Sequence, residues 1–192
     1  MVDVLRFESP VTTIYPTGET EDLTLGDLSE ITKQIVRADS KTAAAEQLAV
    51  TFGSSRIDGD VIVLGQRPDE FLLVGTPTAT ASLVEGLDRS GHVSVIDHTH
   101  SRAMFRLTGS NASATLEKLC SVDWSEPMTP NGAVVSASLA KVGCDIARLD
   151  RGPDRSYLIA CDRSFAQYLF DAIIDAGNEF DIAVVALAPT LV

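Results

Sequence analysis

Two stretches of the chain nearly repeat one another. Leu64-Gly65-Gln66-Arg67-Pro68-Asp69-Glu70-Phe71-Leu72-Leu73-Val74 is echoed by Leu149-Asp150-Arg151-Gly152-Pro153-Asp154-Arg155-Ser156-Tyr157-Leu158-Ile159. In each, an apolar run stops at a Pro-Asp turn and an aromatic residue leads a second apolar run. The two prolines and the two aromatics keep almost the same offset. Such self-similarity is either a chance match of turn residues or the mark of two related units that stack their apolar faces together, and the second is the reading taken. Each unit reads as strand, turn, strand, helix, strand. The fold class is therefore α+β, with duplicated strand–turn–strand–helix–strand units. Residues 24–192 are expected to form a single compact domain of two related halves, about 24–95 and 96–192. Residues 1–23 read as an extended N-terminal arm, mobile or lying on a partner, with an acidic patch at Glu19, Glu21 and Asp22.

The remaining elements follow from local pattern. Leu28, Ile31 and Ile35 have the spacing of one helix face. Ser40 is placed to cap a second helix from Lys41 to about Val50, with Ala44 and Leu48 inward. Thr78 or Thr80 starts a short helix through Leu83, Val84 and Leu87. Val93–Ile96 and Ala103–Leu107 read as strands, and Ser110 caps a helix carrying Ala112, Leu116 and Leu119. After Pro127 and Pro130 the chain runs through Gly132–Val135 towards Ile146–Leu149. Ser164 and Gln167 have capping-box spacing at the head of the last helix. Phe165, Tyr168, Leu169, Ala172 and Ile173 form its apolar stripe. Gly177 stands where a left-handed C-terminal residue is wanted, and Phe180 to Leu187 gives a final strand.

Charge and length exclude several functions. The 192 residues carry a net charge of −12. Phosphate backbones and anionic lipid both need a basic face, so neither nucleic acid nor a membrane surface is an expected partner. The longest apolar stretch, Ile182 to Ala188, falls far short of the ~20 residues of a membrane span. The first ten residues carry Asp3, Arg6 and Glu8, unlike a secretory signal. Cys120, Cys144 and Cys161 are an odd set without a CxxC, as in a reducing compartment, so a cytoplasmic location is expected.

Motifs for chemistry are scarce. His92, His98 and His100 fall close together beside Asp97. On a strand His98 and His100 would share a face, as an H-x-H metal pair does, yet no third ligand is specified, and a strand end or turn explains them equally. There is no G-x-S-x-G, no G-x-G-x-x-G and no Walker A pattern. No carboxylate stands in the apolar setting that acid–base work requires. Trp124, the one tryptophan, is either a buried loop anchor or an interface anchor. No catalytic, cofactor-binding or metal residue is assigned.

One long stretch carries a resemblance. Ile96-Asp97-His98-Thr99-His100-Ser101-Arg102-Ala103-Met104-Phe105-Arg106-Leu107-Thr108-Gly109-Ser110-Asn111-Ala112, continuing into Leu116–Asp123, resembles a signature of the glycine-cleavage aminomethyltransferase family, whose folate-binding domain has this kind of fold. Pro68–Val74 and Arg163-Ser164-Phe165-Ala166-Gln167-Tyr168-Leu169 further resemble motifs of the gamma-subunit family of heterotetrameric sarcosine oxidases. The resemblance covers roughly residues 40–182. It implies a non-catalytic chain packed against alpha, beta and delta subunits, alpha above all. In such a complex sarcosine is oxidised to glycine, with oxygen as electron acceptor and tetrahydrofolate as one-carbon acceptor. FAD, FMN, NAD, tetrahydrofolate and zinc would belong to the partner subunits, and this chain would bind no cofactor. The alternative is a free-standing folate-binding aminomethyl transferase. The family's folate-contacting Asp follows a Gly-Gly pair. Here Asp145 stands near that position in Ala140-Lys141-Val142-Gly143-Cys144-Asp145-Ile146, with the Gly-Gly pair and the double Asp lost.

Overall fold

The computed structural model describes residues 7–13 and 22–186. Strand β1 (Thr24–Asp27) precedes two copies of one element order. The first is β2 (Thr32–Ala38), α1 (Ala43–Leu48), β3 (Ser55–Asp58), β4 (Val61–Arg67), β5 (Glu70–Gly75), α2 (Pro77–Glu85) and β6 (Val93–Asp97). The second is β7 (Arg102–Thr108), α3 (Ala112–Glu117), β8 (Val134–Leu139), β9 (Val142–Arg148), β10 (Ser156–Asp162), α4 (Ala166–Gly177) and β11 (Ala183–Val184). Each copy makes its own sheet. One runs β3-β4-β5-β2-β6 and the other β11-β1-β7-β10-β9-β8. The echoed segments are β4–β5 and β9–β10, the hairpins at the same place in each sheet. β1 lies beside β7 as β6 lies beside β2, both antiparallel.

Alternation along the strands builds four layers. Ile35, Ile62, Leu64, Leu72 and Val74 of the first sheet meet Met104, Val134, Ala147, Leu158 and Ala160 of the second. The outer face of the first sheet, Val36, Val63, Phe71 and Leu73, is covered by Ala44, Ala45 and Leu48 of α1. Phe105, Ile146, Tyr157 and Ile159 on the outer face of the second are covered by Leu116 of α3 and Leu169, Phe170 and Ile173 of α4. Both echoed hairpins are buried on both faces, which is why their sequences are continuous apolar runs.

Several local expectations change. Leu28, Ile31 and Ile35 are all buried, but in a loop and on β2, not on a helix. Thr32, Ile35 and Val36 are β-branched, and β2 gains pairing partners on both sides, which overrides a spacing that mimics a helix. The cap of α1 is Thr42, whose Oγ1 accepts from Ala45 N, not Ser40. Thr76 caps α2 in the same way. Ser110 does not cap α3; its hydroxyl donates to Asp22 O. The region after Gly132 holds a complete hairpin, with Ala140 and Lys141 turning at φ of 48° and 69°. A two-residue turn of that type favours Asn-Gly or Asp-Gly, so Ala-Lys gave no signal.

The head of α4 is also different. Arg163–Phe165 forms a 3-10 turn without a side-chain cap, so the Ser164–Gln167 box is not made. Gln167 Oε1 accepts instead from Thr12 N and Thr13 N at 2.7 and 3.0 Å. The buried stripe of α4 is Ala166, Leu169, Phe170, Ile173, Ala176 and Gly177, whereas Phe165 and Tyr168 are half-exposed. Gly177 is right-handed and helical; the left-handed residue is Asp181. Gly177 is required for space, because a Cβ there would sit 2.7 Å from the Ile182 side chain. The final strand is reduced to Ala183–Val184, parallel to β1; Phe180 ends a 3-10 turn and Leu187 lies outside the described residues. Of the N-terminal arm, residues 7–13 lie on the chain itself, and Leu23 is wholly buried in the core of the second sheet. The Phe7 ring stands 5.7 Å from His100 and 5.2 Å from the Arg163 guanidinium. Glu19 and Glu21 lie outside the described residues. Among the described residues no helix is long and apolar enough to cross a membrane.

Candidate functional site

The inter-sheet layer ends in a polar cleft. Asp145 of β9 shares its face with Ala147, and its register partner on β8 is Ser136. Strand β7 begins at Arg102, opposite Asp162 of β10. Arg102 Nη2 donates to Asp145 Oδ2 at 2.7 Å and Ser136 Oγ donates to Oδ1 at 2.7 Å. Arg102 also donates to Ala160 O. Across the cleft, Arg67 pairs with the buried Glu70, whose other oxygen accepts from Arg37 at 2.8 Å. Arg67, Arg102, Ser136, Ser138, Asp145 and Asp162 surround about 440 Å³.

This geometry limits the chemistry of the cleft. Both oxygens of Asp145 and both of Glu70 are engaged by donors from the chain itself. Cys144 also lines the cleft, but burial pushes its thiol up to about 12. Its cross-strand partner Cys161 is pushed up to about 11 by the same cause. Neither is a nucleophile at neutral pH. Asp145, the residue nearest the family's folate-contacting Asp, thus holds Arg102 on one oxygen and Ser136 on the other.

The other singled-out residues are dispersed. β6 ends at Asp97, so His98 and His100 lie in the following turn and do not share a strand face. His98 Nδ1 meets Ser101 Oγ at 2.9 Å, the His100 ring lies tilted at 37° to Phe7, and His92 is exposed before β6. Asp97 accepts from Thr99 N. Among the described residues no three His, Cys, Asp or Glu side chains converge as metal ligands. Trp124 is buried, packed edge-on against Tyr157 at 5.4 Å, and its carbonyl accepts from Arg155.

Lys33, Glu70 and Arg102 are the functional-looking groups that pattern reading passed over. Lys33 is wholly buried, donating to Ser29 O and Ile31 O at 2.7 and 2.8 Å. Burial lowers its pKa to about 8 against the pull of Asp27 and Asp97. A lysine inside a strand read as a helix gave no hint of burial. Arg102 was visible only as the residue that opens an apolar strand.

Comparison with known proteins agrees with this architecture. The profile of a family described as GCVT N-terminal domain matches residues 29–190. Among solved structures, a chain of the heterotetrameric sarcosine oxidase from Corynebacterium sp. U-96, in complex with pyrrole 2-carboxylate, superposes with a TM-score of 0.72 at 26% identity. That match covers 88% of this chain and 91% of the other. The glycine cleavage system aminomethyltransferase T from Bartonella henselae superposes with a TM-score of 0.64 at 17% identity, over 85% of this chain and 48% of the other, and so shares the fold. No curated protein sequence matches. With the profile spanning both repeats and the four layers superposing on these structures, the chain belongs to the GCVT N-terminal domain family.

Proposed function

We propose that this chain is the non-catalytic gamma-type subunit of a multisubunit sarcosine-oxidising flavoenzyme. The observation that carries this reading is the extent of the two matches. The chain spans nine-tenths of a chain in the heterotetrameric oxidase but only about half of the aminomethyltransferase. It corresponds in size to a whole subunit of the first and to a fragment of the second. The engaged carboxylates of the cleft support a structural role, since they leave Asp145 to hold Arg102 and not a ligand. On this reading FAD, FMN, NAD, tetrahydrofolate and zinc reside in the alpha, beta and delta partners. This chain covers an apolar face of a larger one.

The test is co-expression with candidate alpha and beta chains, followed by a sizing column. Co-elution in a fixed ratio is expected. Elution as a monomer beside assembled partners would sink the proposal. The family match favours one second reading, a free-standing folate-binding transferase. Tetrahydrofolate at a hundred times its Kd would then stabilise the isolated chain by about 2.7 kcal/mol, and thermal melting would record the rise.

A further inference from the structure

The two repeats differ at one edge. In the second sheet β1 lies beside β7, and β11 lies beside β1. In the first, β6 takes the place of β1, and no described strand lies beyond it. Hydrogen-bond parity identifies the groups left facing out. His98 N donates to Lys33 O at 2.8 Å, which makes 33 and 98 a hydrogen-bonded pair. Antiparallel pairs alternate, so Ser94 and Ile96 turn their backbone groups towards β2. Val93, Val95 and Asp97 turn theirs outward. On β1 the matching carbonyls of Leu23 and Leu25 accept from Ala183 N and Val185 N at 3.0 and 2.9 Å. Among the described residues nothing does this for Val93, Val95 or Asp97.

Among the described residues nothing protects this edge. Free edges are ordinarily blunted by proline, lysine, a bulge or a covering loop. The Val-Ser-Val-Ile-Asp of β6 has none of these in its own sequence, its pairing with β2 is regular over five residues, and Ile96 is 43% exposed. The strand that fills the matching place, Ala183-Val184, is extended and apolar, which sets the kind of segment the edge receives. Charge sets its flanks. Exposed Asp39 and Asp69 border a hollow of about 290 Å³ at the start of β6, beside His92 and Ser94, and Asp97 closes the other end. Arg37 at that hollow is tied to Glu70, and Arg89 donates to Val84 O. A second copy fits poorly. Each copy carries −12, and a five-residue strand pair alone falls short of the roughly 1,200 Å² of a stable interface.

The geometry points to β6 as a docking edge that takes an extended apolar strand with basic flanks from a larger partner chain, extending the first sheet to six strands. Backbone bonding supplies the attachment, and alternate side chains supply the choice of partner. The inference rests on the subunit reading for the partner's identity.

The test is residue-resolved hydrogen–deuterium exchange on the full chain, alone and within the complex co-purified with its alpha and beta chains. The amides of Val93, Val95 and Asp97 are expected to slow about tenfold or more on assembly, while Ser94 and Ile96 are slow in both states. Val95→Pro removes an outward donor and leaves the β2 ladder whole, so it should weaken assembly about tenfold. If that variant misfolds, exchange on the unaltered chain still decides. A complex that forms with those three amides still exchanging freely overturns the docking edge and leaves the subunit reading standing. If no complex forms, the subunit reading fails, and a peptide of alternating valine and threonine flanked by lysines tests the edge directly. Absence of protection by that peptide at millimolar concentration overturns it. So does a dimer of the isolated chain that Val95→Pro abolishes.

Discussion

The two repeats share an element order but not a way of holding together. The second is keyed by aromatic rings. Phe105 meets Phe170 edge-on at 5.2 Å, Trp124 meets Tyr157, and the Tyr157 hydroxyl is 2.8 Å from Ser113 Oγ. Its last helix buries six residues, and its sheet is completed by β1 and β11. The first relies on aliphatic contacts around a single buried ring, Phe71. In α2 only Thr80 is fully buried, and among the described residues no strand lies beyond β6. Duplication therefore fixed the topology of both halves, while among the described residues only the second acquired the aromatic packing and the strand that extends its sheet beyond β1. The docking edge proposed above places the partner on the first half.

The largest test of this contrast is truncation of the matched rings. Phe170→Ala should cost about 4–5 kcal/mol, near the top of the range for buried phenylalanines, because it loses its edge-on partner as well as its volume. Phe71→Ala should cost about 3 kcal/mol. Urea unfolding of both variants measures this, and a larger loss at Phe71 would break the comparison. The layer shared by the two sheets should keep unfolding in one transition for each.

Next come the glycines at the ends of α2 and α4. Gly177→Ala drives a Cβ into Ile182 and should destabilise by about 1–3 kcal/mol. Gly86 is right-handed, and its nearest atoms lie 3.6 Å from a built Cβ. Gly86→Ala should therefore stabilise by about 0.5 kcal/mol. Melting temperatures that move in the same direction would refute the contrast between the tight helix end and the loose one.

Buried titratable groups separate the halves by pH. In the first repeat, Lys33 has its folded pKa lowered to about 8, below its ordinary value of 10.5. Between those values the unfolded chain binds more protons, so stability rises with pH through this group. The gain from pH 8 to 9 should be about 1 kcal/mol, and Lys33→Met should abolish it. In the second repeat, burial raises the thiols of Cys144 and Cys161 above their ordinary value of 9.0. The folded chain then holds more protons above pH 9, so their contribution is lost as pH rises further, and replacing both by alanine should flatten that fall. Urea titrations at pH 8, 9 and 10 separate the two trends.

The smallest effect is kinetic. Cys120 is partly exposed, whereas the other two thiols are buried. A thiol reagent at pH 8 should modify Cys120 first and the other two only as the native state opens. Labelling of Cys144 at a rate matching Cys120 would show that the second repeat is not the closed half.

Much of this was legible in the chain. The echoed hairpins, the two sheets' central strands and the helices after β5 and β10 follow from continuous apolar runs punctuated at Pro-Asp. Ala44, Leu48, Leu116, Leu169 and Ile173 face inward as their spacing dictates, because helix periodicity is a local property. Legibility failed where a partner far away in sequence decided the outcome. Leu28, Ile31 and Ile35 satisfy a helix spacing, but strands β5 and β6 offered β2 two ladders. Gln167 left its capping role because the backbone of Thr12 and Thr13 reached it. The Asp145–Arg102 pair is separated by 43 residues, and although Asp145 stands near a family motif, nothing in the sequence names Arg102 as its partner.

By itself, then, the sequence determined a duplicated α+β chain, its charge and its lack of reactive motifs. All of these are local or additive properties, readable without knowing who touches whom. The tertiary structure decided which carboxylates are tied, which lysine is buried and which edge is open. Those depend on pairing between distant strands, where one hydrogen-bond register settles whether a group meets protein or water.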